Sequence, residues 1–119
     1  MNRTILTVLA AVACGSAASA GAELNGIEFV SSFRTMKGAE VTISDCKIGG
    51  TTAEFIRCET ANGSASYALF TDTMDPDDIK WALSTCPTGS VRNPDCKVRV
   101  RGVVNNRDMP SLKKAQILR

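Results

Sequence analysis

Histidine is absent from the 119-residue chain, and with it go the Ser-His-Asp and Cys-His arrangements of nucleophilic catalysis. Close cysteine pairs are missing too. Cys46, Cys58, Cys86 and Cys96 are separated by 11, 27 and 9 residues, whereas zinc sites bring thiolates together in pairs two to four residues apart. Aromatic residues make up only 5% of the chain, as four Phe, one Trp and one Tyr. A small core claims most of these, which leaves few for stacking nucleic-acid bases. Past the N-terminus no apolar run approaches the roughly 20 residues that cross a bilayer. Nor does one sign of charge dominate: 14 Lys and Arg stand against 12 Asp and Glu, a balance that predicts no general attraction to nucleic acid.

The opening stretch "MNRTILTVLAAVACGSAASAGAE" has a basic start at Arg3, an apolar run over residues 5–13, and Ala18-Ser19-Ala20 as an A-x-A cleavage site. This pattern predicts a secretory signal peptide over residues 1–20 and a mature chain, residues 21–119, of the size of one small domain. The expected location is periplasmic or secreted. Lipoprotein anchoring through Cys14 is the weaker alternative, because Ala11 stands where such signals carry Leu.

An even number of cysteines in a small exported chain predicts two disulfides. Of the three possible connectivities, the local one, Cys46–Cys58 with Cys86–Cys96, is preferred because each pair flanks a short connection. Each bridge would add on the order of 3 kcal/mol.

The segment "LNGIEFVSSFRTMKG" predicts a short amphipathic helix, with Asn25 and Glu28 as a capping box, Phe29, Val30, Phe33 and Met36 at helical spacing, and Gly38 as the stop. Three strand-like runs follow. "AEVTISDCKIGG" is expected to end at its Gly-Gly, and "TTAEFIRCET" is expected to join "ANGSASYALFTD" through a type I′ turn at Asn62-Gly63. In "DPDDIKWALSTCP", Asp75 is a natural N-cap and Pro76 suits the first helical position, with Ile79, Ala82, Leu83 and Cys86 as the expected buried stripe. "CKVRVRGVV" and "LKKAQILR" read as two more strands.

Strand, strand, strand, helix, strand, strand is the element order of the OB-fold. The chain resembles the exported bacterial OB-fold proteins in "GAEVTISDC", "DPDDIKWAL", "CKVRVRGVV" and "PSLKKAQI", over about residues 37–119. The resemblance implies a mainly β, five-stranded OB-fold-like Greek-key barrel. A helix would lie between strands three and four, with an extra helix at the N-terminus. Families of this kind bind nucleic acid, oligosaccharide, small ligands or proteins.

The candidate surface is "DCKVRVRGVV". Lys97, Arg99 and Arg101 occupy alternate positions, so strand periodicity sends them to solvent and Val98 and Val100 to the core. A strand face protected against aggregation needs such cations, but a row without interspersed acids also fits an anionic partner. The distribution of charge sharpens the point: residues 92–119 hold eight cations and two acids, while residues 21–91 hold five cations and ten acids. Trp81 lies about 200° around its helix from Ile79 and is a second candidate contact, unless the N-terminal helix covers it with Phe29 or Phe33. Phe55 and Arg57 share strand parity and suggest a cation-aromatic pair. Tyr67 is expected to face inward with Leu69, and Phe70 outward. The acidic group Asp72, Asp75, Asp77 and Asp78 lacks the central Gly and closing Glu of a calcium loop, and helix capping accounts for most of it.

These readings converge on a non-enzymatic binding module without cofactor or metal, engaging a protein or an anionic envelope glycan or lipid. Nucleic acid is disfavoured. The alternatives are an oligomeric ligand-binding subunit, as in the B subunits of secreted toxins, and a small hydrolase using the acidic group. Cys58→Ser should cost about 3 kcal/mol of stability, and Arg99→Ala no more than about 0.5 kcal/mol. Thermal melts check this; equal losses would contradict the solvent-facing placement of the basic row.

Overall fold

The computed structural model describes residues 22–119; the expected signal peptide and the alternative anchor at Cys14 lie outside the described residues. Capping starts the first helix. In α1 (Gly26–Ser32) the Asn25 side chain accepts from the Glu28 amide and Glu28 accepts from the Asn25 amide, both at 2.8 Å. A 3₁₀ turn, Phe33–Thr35, continues it to Gly38, whose φ of 85° ends the helical path.

The strands are β1 (Glu23–Leu24), β2 (Glu40–Thr51), β3 (Phe55–Glu59), β4 (Ser66–Phe70), β5 (Lys97–Val104) and β6 (Ser111–Leu118), with α2 (Pro76–Thr85) between β4 and β5. This topology corrects the expected five-stranded OB-fold-like barrel. The strands form one six-stranded mixed sheet in the order β1-β2-β3-β4-β6-β5, with β1–β2 and β4–β6 parallel. A two-residue strand such as β1 is too short to leave an alternation in the sequence. Besides β1 and β3, β2 pairs with a third strand, β5.

Two local expectations also change. Gly49-Gly50 does not end its strand but lies inside β2, at a register shift between Ile48 and Gly50. A Cβ on Gly49 would stand 2.8 Å from the Glu59 carboxylate and 3.2 Å from the Arg57 guanidinium, so the glycine makes room for the Arg57–Glu59 ion pair on the neighbouring strand. The Asn62-Gly63 hairpin is not type I′. Only Gly63 of the two has positive φ, at 72°, and the connection is longer, closed by hydrogen bonds from the Gly63 amide to Thr60 O and from the Thr60 amide to Ala65 O. The Asn62 carboxamide accepts from the Thr60 and Ser64 hydroxyls and the Ser64 amide; these local bonds favour an open turn.

The core gathers Phe29 and Phe33 from α1 and its extension with Val41, Ile43, Ile48, Ile56, Leu69, Val100, Val104 and Leu112 from the sheet. Full burial of each such side chain contributes about 1.5–3 kcal/mol. Both disulfides are the local ones, Cys46–Cys58 joining β2 to β3 and Cys86–Cys96 joining the end of α2 to the start of β5. All four bridged cysteines are buried.

Tyr67 points inward beside Phe29, with ring centroids 5.3 Å apart, and its hydroxyl donates to Asp45 O at 3.0 Å. Burial, and secondarily the Asp45 charge, push its pKa far above the ordinary 10.0. Because the folded phenol resists ionisation and the unfolded one does not, its contribution to stability is complete below about pH 10 and falls as pH rises further. As Tyr67 is the sole tyrosine, ultraviolet titration should show no phenolate until the alkaline unfolding transition. A separate ionisation near pH 10 in folded protein would contradict the buried placement.

Candidate functional site

Alternation on β5 acts as the sequence implies: Lys97, Arg99 and Arg101 are exposed, Val98 is half-buried and Val100 is fully buried. Alternate cations on such a strand stand about 6.8 Å apart. The neighbours of the row are set by register, with Lys97 opposite Lys47 on β2, and Arg99 opposite Leu118 and Arg101 opposite Gln116 on β6.

A groove runs along this face in two lobes. The first, about 410 Å³, is lined by Ser44, Asp45, Lys47, Lys97, Arg99 and Leu118 among others. The second, about 490 Å³, is lined by Trp81, Thr85, Pro94, Asp95 and again Lys97, Val98 and Arg119. Lys97, Val98 and Arg119 border both lobes, so the lobes adjoin across these three residues. The groove thus joins two of the row residues to Trp81. Arg101 lies farther along β5 and does not line either lobe.

Trp81 is half-buried and packs partly against the core. The Arg119 guanidinium lies 4.6 Å from the centre of its ring and 3.9 Å from the Asp78 carboxylate. Phe29 and Phe33 pack on each other and Phe29 on Tyr67, while the group stacked on Trp81 is Arg119. The stripe expected on α2 is corrected. Ala82 and Cys86 are buried, but Leu83 is 47% exposed. The helix is rolled towards Asp78, whose carboxylate accepts from the Ile117 amide on β6 at 3.0 Å.

Half of the acidic group is committed to the fold. The Asp75 side chain caps α2 by accepting from the Asp77 amide at 2.9 Å, and Asp78 ties the helix to β6. Asp72 and Asp77 face solvent. Among the described residues no group of three or more His, Cys, Asp or Glu side chains is placed to hold a metal ion.

Of the two acids lining the lobes, Asp45 and Asp95, the first is held by the backbone. The carboxylate of Asp45 accepts from the Gly26 amide at 2.5 Å and the Ala61 amide at 2.8 Å. Arg99 reaches Glu23 at 3.5 Å, both side chains being about half exposed, a pairing worth little in water. Elsewhere, the suggested Phe55–Arg57 pair does not form. Arg57 binds Glu59 at 3.0 Å, while Phe55 meets Phe70 edge-on at 6.4 Å and Arg107 covers Phe70 at 4.5 Å.

Lys47 and Arg119 are the groove residues that strand parity alone does not reveal. A lysine beside a bridged cysteine carries no signal for its cross-strand partner, and Arg119 enters through a stack on Trp81 that depends on how α2 rolls. No family model matches the chain, and no curated protein or solved structure matches it.

Proposed function

We propose that the protein is an exported, non-enzymatic binding module that takes an anionic partner, an envelope component or an acidic protein surface, in the groove between β2, β5, β6 and α2. One observation carries this reading. Lys47, Lys97, Arg99 and Arg119 line two adjoining lobes whose lining acids are Asp45 and Asp95, and Asp45 is already bound to backbone amides. Such a surface concentrates positive potential in a concavity, which favours and steers an anionic ligand. The half-buried Val98 and Trp81 add apolar contact beside the charges.

Retention on anionic glycan and anionic lipid surfaces, beside neutral ones, tests the reading at low and physiological salt. Wild-type protein should remain bound to an anionic surface at physiological salt, and Lys97→Ala/Arg99→Ala should bind about tenfold more weakly with an unchanged melting temperature. Equal retention of the double variant, or equal retention on neutral surfaces, would overturn it.

A further inference from the structure

We propose that the first lobe of the groove, between Lys47, Lys97 and Arg99, is a subsite for a phosphoryl group; this deepens, and rests on, the reading of the groove as an anion site. Lys47 and Lys97 are directly opposed across β2 and β5, and both line that lobe together with Arg99. Like charges directly opposite each other weaken a sheet. Among the described residues neither lysine takes part in an ion pair. The acid across the other edge from Lys47 is Glu59, but its carboxylate is held by Arg57 at 3.0 Å. Asp45, within the lobe, is bound by the Gly26 and Ala61 amides. Only Glu23 offsets Arg99, through an exposed contact at 3.5 Å that a ligand can replace.

The charge count then selects the ligand. A carboxylate brings one negative charge and two coplanar oxygens, and would leave this lobe with cations unneutralised. A phosphate monoester brings a charge of about −1.5 to −2 at neutral pH and three acceptor oxygens in a tetrahedral array. Two ammonium groups serve it as mobile point charges, and a guanidinium adds a fork of donors. The rest of such a ligand would pass over Lys97 and Val98 into the second lobe, beside Trp81, Pro94 and Arg119.

Calorimetric titration with inorganic pyrophosphate and with citrate, in the same buffer, tests the claim. A second arm uses vesicles of phosphatidic acid in phosphatidylcholine against vesicles carrying a fatty acid at equal surface charge. Pyrophosphate should bind about tenfold more tightly than citrate; Lys47→Gln and, independently, Lys97→Gln should each abolish that preference. Tighter binding of the phosphatidic acid vesicles than of free pyrophosphate assigns the phosphoryl group to a lipid headgroup, and the reverse assigns it to a soluble compound. Equal binding of phosphoryl and carboxylate probes, lost in Lys97→Ala/Arg99→Ala, would overturn the phosphoryl subsite and leave the anion groove standing. Binding of no anionic probe would remove both.

Discussion

Strand β2 must serve neighbours on both of its edges, and the rest of the molecule follows from how it does so. Its first half pairs with β5 on one side and with β1 on the other, and its second half pairs with β5 and β3. The register with β5 shifts between Ile43 and Cys46, which throws Ser44 and Asp45 out of the ladder. An irregularity of this kind leaves backbone groups to be satisfied by other means. Asp45 answers with both ends: its carbonyl accepts from the Tyr67 hydroxyl, and its carboxylate accepts from the Gly26 and Ala61 amides. One residue therefore ties the start of α1, the β3–β4 connection and the inner face of β4 to the break. The Cys46–Cys58 bridge fastens the next position.

The groove is a consequence of that break. Where β2 resumes its ladder, Lys47 faces Lys97, and the displaced Ser44 and Asp45 form one wall of the first lobe. The far wall is made by α2, fixed by its cap at Asp75, by Asp78 on the Ile117 amide and by the Cys86–Cys96 bridge. One acid at each wall, Asp45 and Asp78, is used to hold backbone amides, while four cations, Lys47, Lys97, Arg99 and Arg119, line the two lobes. Positive potential therefore survives at the groove although the whole chain carries a formal charge of only +2.

What the sequence made legible was local. The capping box at Asn25 and Glu28, the Asp75 cap, both disulfide pairings and the outward face of Lys97, Arg99 and Arg101 each depend on neighbours a few residues away or on a period of two. Legibility failed where a distant group decides the outcome. Gly49-Gly50 reads as a turn until the ion pair on β3 that needs its space is known. Leu83 reads as buried until Asp78 is seen to roll α2. The five-stranded reading missed β1 and the parallel pairing of β4 with β6, since strand order is a property of long-range pairing and not of any one segment's pattern. Within the site, Lys97, Arg99 and Trp81 were visible as candidates, but their meeting in one groove with Lys47 and Arg119 was not.

Where an anionic ligand lands is the central claim, and amide resonance mapping during a titration with short-chain polyphosphate tests it most directly. The account predicts saturable shifts confined to Lys47, Lys97, Val98, Arg99 and the neighbourhood of Trp81 and Arg119. Saturable shifts centred instead on Phe55, Phe70 and Arg107, with the groove unmoved, would contradict it.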